Sequence, residues 1–273
     1  MKQKKVSGAE AFDSYFSALF GERWSELKTA LIREPRYHCL SEILSEPYWL
    51  DAGSYDAAQT LAAIPETNAE DPRWLDLCAA PGGKTLILAL SLPENAFLTS
   101  NELSSDRRSR LLRVLDSSLP QDIRSRVSVT GHDGARWSRY EQSCYDRILL
   151  DVPCSSERHV LSSPKHLQTW SPARIKNLAV RQWSLLSGAF LVLKTGGYLL
   201  YSTCALSPEE NDNIIDKLIK KYSDAQVCTL PLESAGDILC SAAEKTRWGL
   251  HVLPDRCDGA GPLYYCLVKR FCS

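Results

Sequence analysis

The sequence has no uninterrupted apolar run approaching the roughly 18 residues of a membrane-spanning helix, and its lysine-rich start, Met-Lys-Gln-Lys-Lys5, leads into no apolar signal segment. Membrane-embedded and secreted classes are set aside, and the chain is expected to work in the compartment where it is made. There is no CxxC or CxxH pair, so a structural zinc site has no support and no metal ligand is assigned. Charge of one sign is also missing: 32 Lys and Arg against 33 Asp and Glu leave a formal net charge of −1. A chain without a global basic field can bind nucleic acid only through a local surface. No internal repeat or low-complexity tract appears.

What is present is enough for a real core, 44% hydrophobic residues in a 273-residue chain, which fits one large domain and a small appendage. Ten cysteines are scattered over a chain too large to need a disulfide framework. Reduced thiols are the expectation, in the cytoplasm first and the mitochondrial matrix as the alternative. Cys39, Cys144, Cys228, Cys240, Cys257, Cys266 and Cys272 read as packing or incidental residues.

The chain divides near Pro47. Residues 1–47 read as an N-terminal helical cap, with Phe12, Phe16, Leu19 and Phe20, then Trp24, Leu27 and Leu31, at helical spacing around a break at Gly21. From residue 48 to 273 strands and helices alternate. Apolar runs at Trp74–Cys78, Ala96–Ser100, Val127–Thr130, Tyr145–Asp151 and Gly197–Tyr201 are separated by helical segments such as Asp106–Leu115 and Pro172–Leu193. This pattern predicts an α/β fold with a doubly wound, mostly parallel Rossmann-like sheet. Ser171-Pro172 reads as a helix start and Gly196-Gly197 as its stop. Later strands are expected near Ala225–Thr229 and Leu263–Lys269, with a hairpin near Trp248–Pro254.

In such a sheet ligands sit beyond the carboxyl ends of the strands, so those ends carry the chemistry. The first strand runs into Cys78-Ala79-Ala80-Pro81-Gly82-Gly83-Lys84, a glycine turn opening a helix, the local geometry that holds an adenosine-bearing cofactor. The second ends at Asn101-Glu102, an acid placed for ribose hydroxyls, and the third at Gly131-His-Asp133-Gly134, where a carboxylate can take an adenine amino hydrogen. The fourth ends at Asp151-Val-Pro-Cys154, and the next at Ser202-Thr-Cys204. A strand-terminal Asp alone is as often a cap or turn former as a ligand. Their occurrence in order, one per strand, is the signal. The turn lacks the GxGxxG spacing of dehydrogenases, and the first glycine of a phosphate loop would fall on Cys78.

Together Cys78–Lys84, Asp151–Cys154 and Ser202–Cys204 resemble the Sun/nucleolar-protein family of S-adenosylmethionine-dependent RNA cytosine-5 methyltransferases, over roughly Tyr48 to the C-terminus. Cys154 is followed by Ser-Ser-Glu-Arg-His159 where many members have glycines, a form similar to the organellar subgroup. Tyr48–Ser54, Phe20–Trp24 and Gly261–Tyr264 also resemble that subgroup. The resemblance implies a methyltransferase domain whose cofactor positions match Cys78 to Lys84, Glu102, Asp133 and Asp151. It implies Cys204 as nucleophile and Cys154 as the cysteine associated with product release. The chemistry agrees, because cytosine C5 is a poor nucleophile until a thiolate has added to C6. Asp151 would lie at the N3/N4 edge of the base.

The implied partner is RNA, ribosomal first and transfer second. Arg158 and His159 beside Cys154, and the Glu157–Arg181 segment with Lys165, His166, Arg174, Lys176, Arg181 and Trp170, suit a splayed single strand. Arg107 to Arg113 read as a solvated helix face. With no accessory RNA-binding domain recognised, target choice falls to the cap, the Glu157–Arg181 segment or a separate protein partner. Two alternatives stay open: a noncatalytic RNA-binding or assembly factor on the same fold, and DNA cytosine-5 methylation with Cys154 as nucleophile.

Overall fold

The computed structural model describes residues 7–42, 44–65, 70–229 and 242–272. Cys240 and the lysine-rich start lie outside the described residues. The elements, in chain order, are α1 (Gly8–Phe20), α2 (Trp24–Ile32), β1 (Tyr37–Leu40), β2 (Tyr48–Asp51), α3 (Ala52–Ala62), β3 (Arg73–Asp76), α4 (Gly83–Leu90), β4 (Phe97–Asn101), α5 (Ser105–Ser118), α6 (Gln121–Arg124) and β5 (Val127–Thr130). They continue with β6 (Tyr145–Asp151), α7 (Glu157–Ser162), α8 (Pro164–Gln168), α9 (Pro172–Val192), β7 (Leu193–Thr203), α10 (Asp212–Lys221), β8 (Ala225–Val227), β9 (Glu244–Lys245), β10 (Leu250–Val252) and β11 (Leu263–Arg270).

The central sheet runs β5-β4-β3-β6-β7-β11-β10-β9, with β8 also on β11. Pairing is parallel from β5 to β7 and antiparallel from β11 onward. The predicted doubly wound, mostly parallel sheet is therefore present, and its order reverses between β3 and β6. That reversal opens a crevice at the carboxyl ends. Strand residues alternate between two cores, as the two-residue side-chain period requires. Trp74, Leu149, Leu200 and Leu267 pack with α3, α4 and α5 on one face; Leu75, Ile148, Leu150, Leu199, Tyr201 and Val268 pack with α9 and α10 on the other.

The fold departs from or adds to the sequence pattern at two places. Gly196-Gly197 does not stop the helix: α9 ends at Val192 and passes directly into β7. Partners of β6 jump from Leu193 to Tyr198, so the glycines form an extra-residue excursion inside the strand, with Gly196 at φ +85. The second concerns the N-terminal region. Ser7 caps α1 in a reciprocal capping box with Glu10, and Gly21 at φ +59 ends the helix, as the sequence break suggested. Phe12, Phe16, Trp24, Leu27 and Leu31 then form one cluster with Val160, Trp170, Ile175, Leu206 and Leu253. The cap helices thus buttress the segments following Cys154 and Cys204. Pro47 lies between the paired strands of a β1–β2 hairpin.

Candidate active site

The loop after β3 is shaped for close approach. Gly82 stands at φ +122, and a Cβ there would crowd Val114 and Leu111 at 3.1 and 3.2 Å; a Cβ on Gly83 would come within 2.8 Å of the Tyr48 ring. The free N–H groups of α4 begin at this point. Asn101 knits the first three strand ends together. Its Nδ2 donates to the Leu77 and His132 carbonyls at 3.1 and 3.0 Å. Its Oδ1 accepts from Thr130 Oγ1 and His132 N, and its own carbonyl accepts from Ala79 N. Sequence reasoning named only its neighbour, Glu102.

Glu102 is buried, with Oε1 accepting from Ser104 N and Oε2 without a hydrogen-bond donor. Arg107 comes within 3.3 Å of Oε2 but is not aligned to bond it, and instead donates to the Ala80 carbonyl at 2.7 Å. Arg108 donates to the Glu102 carbonyl. Arg107 and Arg108 thus hydrogen-bond to the strand-end loops, while Arg107, Arg110 and Arg113 stay exposed, the solvated face expected. A buried carboxylate oxygen without a hydrogen-bond donor is costly, and here only the nearby Arg107 charge offsets it. Asp133 caps Ala135 N and pairs with Arg181 at 2.6 Å, a bond that holds its carboxyl below the usual range. It stands beyond the end of β5 already partnered.

Lys84, assigned with the cofactor loop, reaches the end of β6. It donates to Asp151 Oδ2 at 2.7 Å and to Ser54 Oγ at 3.0 Å. Burial works against that charge, but the Asp151 carboxylate outweighs it and the Lys84 pKa is raised. Ser202 Oγ donates to Asp151 Oδ1 at 2.8 Å, so the carboxylate is fixed from both sides. A cavity of about 240 Å³ joins Tyr48, Asp76, Cys78, Pro81, Lys84 and Asp151, and one of about 510 Å³ joins Lys84, Asp151, Ser156, His159 and Cys204. Lys84 and Asp151 line both. Burial pushes the Cys78 thiol up, which suits a packed residue.

Cys154 and Cys204 follow neighbouring parallel strands, and their Sγ atoms lie 2.6 Å apart, with Cys204 N 3.3 Å from Cys154 Sγ. Both are free thiols. The bond to Cys204, then burial, raises the Cys154 pKa. Among the described residues no histidine bonds either thiol.

Beneath the thiols is a network that sequence reasoning missed. Ser155 Oγ lies between Glu157 Oε1 and Glu210 Oε1, both residues fully buried. Glu210 also accepts from Ser155 N and Gln182 Nε2, while Glu157 accepts from Leu206 N. The two thiol-bearing loops are thus bolted to each other. A hydroxyl has one proton, so contact with two carboxyl oxygens requires one carboxyl to keep its own. Accordingly burial, with Glu210 close by, raises Glu157 to about 7. An acid raised on folding is deprotonated earlier in the unfolded chain, so stability is lost as pH climbs from the unfolded value of 4.5 toward 7. His251, lowered by burial, slopes the opposite way but is common to wild type and variant. Glu157→Gln should therefore gain on wild type in melting temperature between about pH 5 and pH 8. A difference independent of pH, measured by thermal melts across that range, would remove Glu157 as the titrating group.

Two proposed RNA contacts are placed otherwise. Trp170 is buried against Phe12 and Phe16 and is core. Arg158 donates to the carbonyls of Leu31, Arg33, Gly259 and Gly261, tying the cap to the loop before β11. His159, Lys165, His166 and Lys176 remain exposed on the same side.

The chain is 35% identical over 238 residues to the 5-cytosine rRNA methyltransferase NSUN4 of Bos taurus, covering 83% of this chain and 60% of the relative. It is 33% identical over 221 residues to the mitochondrial tRNA (cytosine(34)-C(5))-methyltransferase of Danio rerio, covering 79% and 59%. Ribosomal RNA small subunit methyltransferase F of Aliivibrio fischeri is 35% identical over 203 residues, covering 74% and 41%. The chain therefore spans about 60% or less of the length of these curated relatives. In fold it is similar to a methyltransferase homologue from Pyrococcus horikoshii, with a TM-score of 0.69, 19% identity and 96% and 95% of the two chains covered. NSun6 from Pyrococcus horikoshii gives 0.65 at 22% identity, covering 83% and 54%. A family model described as 16S rRNA methyltransferase RsmB/F matches residues 62–268, most of the sheet and both thiol loops, and on that match the chain belongs to the RsmB/F family of 16S rRNA methyltransferases.

Proposed function

We propose that this chain is an S-adenosylmethionine-dependent RNA cytosine-5 methyltransferase. The observation that carries the reading is the pair of thiols at 2.6 Å, on adjacent strand ends, with Cys204 lining a cavity shared with the Lys84–Asp151 pair and Cys154 buried behind it. When bound, the cofactor supplies a methyl group on a sulfonium. The residues fit it: the Cys78–Gly83 turn admits a ligand against the backbone, Glu102 Oε2 would accept from a ribose hydroxyl, and Asp133 would accept from the adenine amino group. Cys204 adds to C6 of the cytosine, and the carboxylate of Asp151 with the Lys84 ammonium holds the base edge where charge develops. After methyl transfer the C5 proton leaves, the double bond re-forms and Cys204 is expelled, with Cys154 assisting release.

The names of the relatives support ribosomal RNA as first substrate and transfer RNA as second. Of the two compartments expected, the mitochondrial matrix has support in the Danio rerio relative's name and the cytoplasm has none. No helix among the described residues is long and apolar enough to cross a membrane. A separate protein partner for target choice belongs to the same proposal, as does the division into a cap over residues 1–47 and a methyltransferase domain over 48–273.

Bisulfite mapping of cellular RNA with and without the protein tests the reading, the expected result being one or a few cytosines that lose protection when the protein is absent. Unchanged maps would favour a noncatalytic factor. The cofactor assignment has its own check. Glu102→Ala should weaken S-adenosylmethionine binding by about 1–3 kcal/mol in calorimetry, the range for a lost polar contact at a buried acceptor. Unchanged affinity in both Glu102→Ala and Asp133→Ala would reject those two positions.

A further inference from the structure

Ser156 stands at φ 56 and ψ 61, in the left-handed region, immediately before α7. A side chain with a Cβ is disfavoured there, and glycine is the usual occupant. That conformation aims the hydroxyl at the reacting pair: Ser156 Oγ is 3.2 Å from Cys204 Sγ, 3.5 Å from Cys154 Sγ and 3.4 Å from the Cys154 carbonyl oxygen. Among the described residues no other hydroxyl lies within hydrogen-bond distance of either sulfur. Ser156 also lines the cavity that holds Cys204, Lys84 and Asp151.

We infer, resting on the reading of Cys204 as nucleophile, that Ser156 is a further catalytic residue, whose hydroxyl donates to the Cys204 sulfur while it is a free thiolate and turns to the Cys154 acceptors while it is bonded to C6. A thiolate is a strong acceptor, and a hydrogen bond to a charged group is worth more than a neutral one. Once the S–C6 bond forms, the charge moves into the pyrimidine ring, and the thioether sulfur left behind is a weak acceptor. The carbonyl of Cys154, within reach at 3.4 Å, is then the better partner. When C5 loses its proton and the C5–C6 double bond re-forms, the S–C6 pair returns to sulfur and the hydroxyl returns with it. The bond made and broken is S–C6, and the Ser156 proton stays on Oγ throughout. A glycine at this position would be free of strain but would offer no donor.

The test compares Ser156→Gly, which relieves the backbone, with Ser156→Ala, which does not. Iodoacetamide alkylation at neutral pH, without RNA or cofactor, is followed at Cys204 by peptide mass spectrometry, because the reagent reports the thiolate. Both variants should alkylate Cys204 about tenfold more slowly than wild type, the effect of one hydrogen bond to a charged group. The Ser156→Gly variant should melt no lower than wild type, and in methylation assays kcat should fall with KM for RNA unchanged. Wild-type alkylation in both variants overturns the inference. Slow alkylation in Ser156→Ala alone also overturns it, by assigning the effect to backbone strain. Since alkylation requires no RNA, a wild-type chain that methylates no RNA would strike the substrate reading and leave this measurement to decide the role of the hydroxyl.

Discussion

Cys204→Ala is expected to abolish both methyl transfer and any covalent RNA adduct, whereas Cys154→Ala is expected to accumulate an RNA-linked protein that survives a denaturing gel. The two sulfurs are 2.6 Å apart, so the separation is one of sequence in time. Without addition at C6, the C5 carbon is never activated, and the loss should be the whole catalysed rate. Without Cys154, addition and methyl transfer can proceed, but release slows. Labelled substrate RNA on a denaturing gel distinguishes the variants. An adduct present in Cys204→Ala and absent in Cys154→Ala would reverse the assignment and revive the reading in which Cys154 is the nucleophile, as in DNA cytosine-5 methylation.

Asp151→Asn should lower kcat by about two to four orders of magnitude, the range for removing a positioned acid–base or charge-stabilising group. Lys84 and Ser202 each use one carboxylate oxygen, at 2.7 and 2.8 Å, leaving further lone pairs on both for the base edge. The amide keeps the shape but presents an NH2 to the Lys84 ammonium, losing the ion pair and one acceptor together. S-adenosylmethionine affinity, measured by calorimetry, should change far less than kcat if Asp151 acts on the base. A fall in affinity that accounts for the whole rate loss would make Asp151 a cofactor ligand alone. Lys84→Met extends the test: it should show a similar kcat loss, and normal turnover would remove the pair from the chemistry.

Much of the frame was legible because its signals are local. Val127–Thr130 and Tyr145–Asp151 are strands with the bounds the pattern predicted, since alternation and continuous apolar character are properties of four to seven adjacent residues. The Gly196-Gly197 reading failed for the complementary reason. Two glycines mark a backbone departure, but whether it ends a helix or bulges a strand depends on the neighbouring strand, here β6. Trp170 failed likewise: an aromatic among cations reads as a stacking platform until Phe12, Phe16 and Trp24, more than 140 positions away in the chain, bury it.

The sequence by itself determined the strand–helix alternation, the glycine turn at Cys78–Lys84, the ordered acids at strand ends and the two cysteines, because each is a short motif whose backbone consequence is fixed within a few residues. Only the tertiary structure decided that Lys84 pairs with Asp151, and that Asn101 joins three loops. It alone made Arg158 a tie to the cap and put Ser156 between the thiols. Those roles depend on which side chains meet across a sheet whose order reverses between β3 and β6. Contacts made across such a reversal have no period along the chain for a sequence to display.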